Sequence, residues 1–166
     1  MGRLADSWSE RKITQRIPYS MFGELVLAGS LSGRPFPSGT FDFNIDMPFE
    51  VHRLIPRVVG IIDAGTVAST QPDPLLLMTL VKAKIDRIGG TITWTKVPTR
   101  LDTLVKGTSE MTWELADPDT VVRQEGYAVE LTTEAIPVFT VPIASLRVEF
   151  TFQGFLLQLA PASERR

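Results

Sequence analysis

The stretch Leu146-Arg147-Val148-Glu149-Phe150-Thr151-Phe152-Gln153-Gly154-Phe155 alternates apolar and polar side chains almost without interruption. A period of two places the apolar side chains on one face of a β-strand and the polar ones on the other. Similar short runs recur along the chain, and proline, glycine and aspartate separate them. The sequence therefore predicts a protein built from strands that each bury one face.

Length and composition fit one folded domain. The chain has 166 residues, of which 43% are hydrophobic and 22% charged, and its formal net charge is −2. This charge gives no general attraction to nucleic acid or to anionic lipid, so we expect neither as a partner. The absence of cysteine excludes disulfides, thiolate metal sites and cysteine nucleophiles. No stretch reaches the roughly 18 apolar residues that cross a bilayer, and we expect a product made in the cytosol.

Several other segments carry strand patterns. Thr40–Asp46 alternates strictly, and the longer run Phe49–Ile62 contains Pro56, which predicts an edge position or a bulge because proline cannot donate to the ladder. The β-branched run Thr91–Val97 is a strong strand signal. Leu75–Asp86 fits either a strand or a short helix, and we favour the strand because alternate side chains face opposite ways.

Eight to ten short strands result from this count. Further strands are predicted at Met111–Leu115, Val121–Gln124, Tyr127–Thr132, Val138–Ile143, Leu146–Gln153 and Phe155–Leu159, with one helical turn at Leu101–Val105. Connections such as Thr99–Glu110 are longer than two-residue hairpin turns, which favours a Greek-key or jelly-roll topology over an up-and-down barrel. We therefore predict an all-β fold, a single jelly-roll-like β-sandwich of about eight strands with an N-terminal arm.

The predicted domain organisation is an arm at residues 1–20 followed by one sandwich domain at residues 21–166. The arm interleaves charged and apolar residues without a strand period, and it contains Trp8, an aromatic residue of the kind that docks at interfaces. A frayed terminus and an arm that orders on a neighbouring subunit both fit this pattern. The segment Ser32–Gly39 holds two prolines and two glycines, which predicts a loop.

Residues able to carry out chemistry are few. Glu50 and His52 lie on the same face of a predicted strand, but nothing nearby in sequence supplies a nucleophile or a metal, so we predict no catalytic site. Asp42, Asn44 and Asp46 share a face, yet acid-rich turns usually face water, and we predict no metal and no cofactor. The larger aromatic residues are either core residues or platforms of a carbohydrate-binding module: Trp8, Trp94, Trp113 and Tyr127.

Four segments, Phe49–Arg53, Trp113–Pro118, Arg123–Tyr127 and Val148–Leu156, together resemble small jelly-roll virion proteins of bacteriophages. The similarity spans roughly residues 38 to 160. It is closest in style to capsid cement or decoration proteins that dimerise on the outside of phage heads. It extends to the single-jelly-roll capsid proteins of membrane-containing phages.

The resemblance implies a non-enzymatic structural protein of the virion. It would bind the major capsid protein and stabilise the capsid shell, as a homodimer or higher homo-oligomer, through many weak contacts in parallel. The residues expected at the interface are aromatics and arginines of the arm and the loop, because these types concentrate binding energy: Trp8, Arg11, Arg16 and Phe36. The alternatives are a shell-forming capsid subunit and a carbohydrate-binding β-sandwich module.

Overall fold

The computed structural model describes residues 13–28, 34–44, 46–61, 73–89, 93–105, 111–122, 125–135 and 143–160. Within these ranges the chain forms eight strands and two short helices. In chain order these are β1 (Ile13–Ala28), β2 (Gly39–Asn44), β3 (Phe49–Ile61), α1 (Pro74–Leu80), β4 (Val81–Ile88), β5 (Thr99–Arg100), α2 (Leu101–Leu104), β6 (Trp113–Val121), β7 (Gly126–Thr133) and β8 (Ser145–Leu159).

The strands form two four-stranded antiparallel sheets, with orders β1-β8-β3-β6 and β2-β7-β4-β5. The pairing is nested, since β1 pairs with β8, β2 with β7, β3 with β6 and β4 with β5. The predicted all-β sandwich of about eight strands is confirmed. Nested pairing of this kind is what the predicted jelly-roll-like topology requires, because a long hairpin that folds over itself brings successive pairs alternately into two sheets.

The core lies between the two sheets and is rich in phenylalanine. Phe150 and Phe152 of β8 are fully buried. Phe41 of β2 meets Phe150 with ring centroids 5.7 Å apart, and Phe43 meets Phe152 at 4.6 Å. These contacts join one sheet to the other, and the period-two pattern of β8 is the reason that both Phe150 and Phe152 reach this layer.

The C-terminal strand is longer than predicted. The sequence predicts two strands, Leu146–Gln153 and Phe155–Leu159, but β8 is continuous from Ser145 to Leu159. It lies between β1 and β3 and pairs with both. Gly154 does not break the strand, because its missing side chain lets the neighbouring backbone of β3 approach closely.

The prediction of a strand over Leu75–Asp86 is wrong in its first half. The chain forms α1 there and turns into β4 only at Val81. The Asp73 side chain accepts a hydrogen bond from the Leu75 N–H, and Pro74 occupies the first helical turn, so an N-cap and a proline start the helix. The alternation of side chains begins only at Leu80, so it predicts β4 and not the residues of α1.

The prediction of a strand over Thr91–Val97 is not met in its described part. Thr93 makes an isolated bridge to Asp86, and the next residues bend away from the sheet. Thr95 is buried, and its hydroxyl accepts a hydrogen bond from the Ile85 N–H at 2.8 Å. The predicted helical turn at Leu101–Val105 is confirmed as α2.

Pro56 has the edge position that the sequence predicts. The pairing between β3 and β6 ends at Leu54 and Trp113, so among the described strands only β8 lies beside β3 at Pro56. Proline has no N–H to donate, and on this open side of β3 no described strand needs that hydrogen bond.

The remaining strand predictions shift by a few residues. Tyr127–Thr132 is confirmed within β7, whereas Met111–Leu115 and Val121–Gln124 contribute to one strand, β6. Most of the strand predicted at Val138–Ile143 lies outside the described residues. Residues 13–20, which the sequence assigned to the arm, belong to β1, and residues 1–12 lie outside the described ranges.

Candidate functional site

A shallow groove of about 540 Å³ crosses the first sheet, and all four of its strands contribute side chains. Ser20 comes from β1, His52 from β3, Glu114 from β6, and Gln153 and Phe155 from β8. Gln153 and Phe155 point away from the core, because they alternate with the buried side chain of Phe152. The groove therefore presents a mixed polar and aromatic surface on the side of the sheet opposite the core.

The single histidine of the chain lies in this groove. His52 Nε2 is 2.7 Å from Glu50 Oε1, and the Arg16 guanidinium is 3.3 Å from the other oxygen of that carboxylate. The imidazole also meets the edge of the Phe155 ring at 5.2 Å between centroids. The register of β3 shifts at His52, so a β-bulge aims this side chain. Glu50 and His52, which were predicted on one face, are in contact, and Arg16 extends the pair into a row of three ionisable side chains.

A second, smaller cavity of about 270 Å³ is lined by Trp94 and by five residues of β6: Trp113, Leu115, Asp117, Pro118 and Asp119. Trp94 and Trp113 meet edge to face at 5.8 Å, and Trp94 packs on Tyr127 at 4.6 Å. Tyr127 is fully buried and stacks on Phe152. Of the candidate carbohydrate platforms, Tyr127 is thus a core residue, and the two tryptophans are partly buried against the core.

A polar network anchors this aromatic cluster. Asp119 accepts hydrogen bonds from Trp94 Nε1 at 2.9 Å, from the Tyr127 hydroxyl at 2.7 Å and from Arg87 at 3.1 Å. Arg87 also donates to Glu125 at 2.6 Å. The network ties β4, β6 and β7 together. The Asp119 side chain is only 11% exposed, although acid-rich turns usually face water.

The network perturbs the ionisation of its own members. Burial raises the pKa of the Tyr127 hydroxyl, and the negative charge of Asp119 raises it further. Burial by itself lowers the pKa of Arg87, but its hydrogen bond to Glu125 and the charge of Asp119 outweigh this and leave that pKa raised. Arg87 therefore stays charged and Tyr127 stays neutral. Sequence reasoning missed Arg87 because an arginine at the end of a strand usually faces water.

The outer edge of the first sheet is the most exposed apolar part of the described chain. The structure records eight exposed large hydrophobic residues, and four of them belong to β1. Their exposed fractions are 40% for Ile17, 48% for Tyr19, 57% for Phe22 and 49% for Val26. Exposed apolar side chains gathered on one element mark a contact surface more often than singly scattered ones do. The sequence did not predict this exposed strand, because it assigned the residues up to 20 to an arm.

The four residues predicted at an interface have different positions. Arg16 lies on β1, and its side chain is 55% exposed. Phe36 is buried with 3% exposure, and its N–H donates to the Thr133 hydroxyl at 2.7 Å, so it packs in the core and has little surface left for a partner. Trp8 and Arg11 lie outside the described residues.

The described ranges contain neither a metal-binding cluster nor a membrane-spanning helix. Those ranges contain no group of three or more histidine, aspartate or glutamate side chains that could hold a metal ion. Neither helix there is long and apolar enough to cross a membrane.

Comparisons with protein-family models, with curated proteins and with solved structures give no match. The class of protein is therefore defined by the fold and its surfaces. It is an all-β sandwich of two four-stranded sheets with a charged groove on one sheet and a long apolar strand at that sheet's edge.

Proposed function

We propose that this chain is a non-enzymatic structural protein of a bacteriophage virion, a cement or decoration subunit that binds the major capsid protein and stabilises the shell. The observation that carries the proposal is the nested strand order of the two sheets, which is the order of a single jelly roll. Two of the four segments that carry the resemblance to phage jelly-roll proteins, Phe49–Arg53 and Val148–Leu156, lie in β3 and β8 at the centre of the first sheet.

The surfaces of the sandwich support a role in assembly. The exposed apolar side chains of β1 and the ionisable row of Arg16, Glu50 and His52 lie on the same sheet. An apolar strip beside charged groups is the composition of a contact surface, in which apolar burial supplies affinity and charge supplies register. Weak contacts of this kind hold firmly when many copies act together on a symmetrical shell.

A shell-forming capsid subunit is the second candidate, because the same nested fold serves either role. The carbohydrate-binding alternative has less support, since Tyr127 is buried and Trp94 donates its Nε1–H to Asp119. A platform for sugars would need those aromatic faces to be open to solvent.

The test is to purify the virions whose genome encodes this chain and to measure its copy number by quantitative mass spectrometry. We expect tens to hundreds of copies per particle, in a fixed ratio to the major capsid protein. Particles produced without the chain should still assemble but release their genome at a lower temperature. Adding back the purified chain should restore the release temperature, and an unrelated sandwich protein of equal size should not.

Two results would change this conclusion. Particles without any copy of the chain would contradict the proposal. Failure of shells to assemble in its absence, rather than loss of their heat resistance, would favour the shell-forming candidate.

A further inference from the structure

β1 leaves one whole side unpaired in the described part of the chain. It is the outermost strand of its sheet and pairs with β8 along its length, from Ile13 to Ala28. Its other side presents backbone N–H and C=O groups that a further strand could pair with. Strand addition at such an edge is a common mode of protein recognition, and main-chain hydrogen bonds supply much of its affinity.

The charges of β1 are arranged symmetrically about Ser20. The strand reads ITQRIPYSMFGELVLA, and its two charged residues are Arg16 and Glu24, which lie four residues before and four residues after Ser20. An even separation places both on the same face of the strand. If two copies pair antiparallel with Ser20 opposite Ser20, each Arg16 lies opposite the other copy's Glu24. A register shifted by two residues places Arg16 opposite an uncharged side chain.

Among the described residues, no salt bridge reaches Glu24. This residue lies opposite Glu149 in the pairing of β1 with β8, and the guanidinium groups of Arg147 and Arg57 lie within salt-bridge distance of Glu149. Like charges directly opposite each other on neighbouring strands are destabilising. A second copy's Arg16 would relieve this repulsion, and Arg16 has donors to spare because its contact with Glu50 uses one nitrogen and leaves the side chain 55% exposed.

The same register covers the apolar side chains of the edge. Phe22 would lie opposite the second copy's Pro18, and Tyr19 opposite Met21. Phe22 and Tyr19 are the most exposed and the third most exposed large apolar side chains of β1. Directly opposite residues have Cβ atoms about 5 Å apart, close enough for these rings to be covered. Pro18 lacks an N–H, which costs the pairing one donor in each copy.

We propose that β1 pairs antiparallel with β1 of a second copy about a two-fold axis through Ser20, so that two four-stranded sheets join into one of eight strands. The inference rests on the assembly role proposed above and assigns the dimer contact of that role. The contact is isologous, because Arg16 of each copy meets Glu24 of the other. The register excludes a head-to-tail chain of subunits.

Charge reversal tests the register in the full chain. Sedimentation equilibrium should show a dimer for the natural sequence. The variants Arg16→Glu and Glu24→Arg should each weaken it by about tenfold or more, because each places like charges opposite each other twice. An equimolar mixture of the two variants should recover a heterodimer, since every opposing pair is then of opposite charge. Glu130→Arg, an exposed reversal on β7, should leave the dimer unchanged.

A cysteine cross-link tests the axis. Because the chain has no cysteine, Ser20→Cys introduces one thiol, and the two copies should form a disulfide under mild oxidation since residue 20 faces itself. Thr14→Cys is the matched control on the same strand. In the proposed register its two thiols lie about 40 Å apart, because twelve residues separate them along the strands. It should therefore cross-link far more slowly.

The outcomes separate this inference from the proposed function. A chain that stays monomeric at high concentration, a dimer that ignores both charge reversals, or equal cross-linking of the two cysteine variants would overturn the β1 contact. Virions can still contain the chain in each of those cases. A dimer that follows the charges but never occurs in virions would instead contradict the virion role.

Discussion

Arg87 holds two carboxylates inside the sandwich, and its position explains why β4, β6 and β7 meet there. Its guanidinium contacts Asp119 and Glu125, and its side chain is only 14% exposed. Two partly buried carboxylates without a cation would repel each other and lack solvation. Removing one member of a buried ion pair is costly for this reason.

We predict that Arg87→Met lowers the free energy of unfolding by about 3 kcal/mol, as measured by urea denaturation. Methionine keeps most of the volume of the side chain but leaves Asp119 and Glu125 without their cation. Arg57→Met is the matched control, because Arg57 is 68% exposed and contacts Glu149 only at 3.6 Å. It should change stability by less than about 0.5 kcal/mol. Equal effects of the two substitutions would contradict a structural role for the network.

Tyr127 makes stability depend on pH at the alkaline end. Burial, followed by the charge of Asp119, raises the pKa of its hydroxyl above the ordinary value of 10.0. The contribution of this group is full below pH 10.0 and is lost as the pH rises further, because the unfolded chain releases the proton there and the folded chain keeps it.

We predict that the stability advantage of the natural sequence over Tyr127→Phe shrinks as the pH rises from about 9 to about 11. Phenylalanine keeps the stacking on Phe152 but has no proton to release. Urea denaturation of both proteins across that range measures the difference, which cancels the titration of lysines and of the other tyrosine. A difference that stays constant with pH would show that the hydroxyl is not held neutral by folding.

At the scale of elements, the centre of the first sheet depends on one close approach. A Cβ atom on Gly154 of β8 would overlap the carbonyl oxygen of Glu50 on β3. This approach lies beside the bulge of β3, which aims His52 into the groove. The glycine is therefore required by the neighbouring strand and not by a turn.

We predict that Gly154→Ala costs about 3 kcal/mol of unfolding free energy, because backbone must move to admit the methyl group. Gly60→Ala in β3 is the control, since its new methyl group would meet the side-chain end of Ile143, which can shift. Thermal unfolding of both variants compares them directly. Equal losses would mean that the space at Gly154 is not what its strand needs.

The second element-scale feature is the N-cap of α1. The Asp73 side chain caps the helix by accepting a hydrogen bond from the Leu75 N–H. We predict that Asp73→Ala lowers the unfolding free energy by about 1 kcal/mol, whereas Asp73→Ser keeps most of the capping and loses much less. Urea denaturation measures both. If serine and alanine have the same effect, the cap does not stabilise this helix.

At the scale of the whole molecule, the proposed assembly role has two separable parts, the body and the N-terminal segment. Because β1 begins at Ile13, deleting residues 2–12 spares the sheet, whereas a deletion to residue 20 would remove half of β1. We predict that the shorter deletion leaves the unfolding free energy within about 0.5 kcal/mol of the natural value but lowers occupancy on virions.

Quantitative mass spectrometry of reconstituted particles measures that occupancy, and Trp8→Ala with Arg11→Ala in the full chain tests the residues expected to grip the shell. Unchanged occupancy in both variants would assign shell binding to the body of the sandwich alone.

Sequence patterns predicted individual elements well where one local signal dominated. The alternation of Leu146–Phe155 predicted the strand that lies in the centre of the first sheet, and Glu50 and His52 were expected on one face and are in contact. The patterns failed where two signals competed. The apolar run Leu75–Leu80 fits either a strand or a helix, and Asp73 and Pro74 start a helix there. At Phe36, a loop composition concealed a core residue.

By itself the sequence determined the fold class, because a side chain's face on a strand depends only on the period of two. It also determined the symmetry of Arg16 and Glu24 about Ser20, which is visible in the nine residues from Arg16 to Glu24. Only the tertiary structure decided that β1 lies at an edge and that Arg87 meets Asp119 across 32 residues. Strand order and contacts between distant residues depend on how the sheets pair and pack, and no local pattern encodes that.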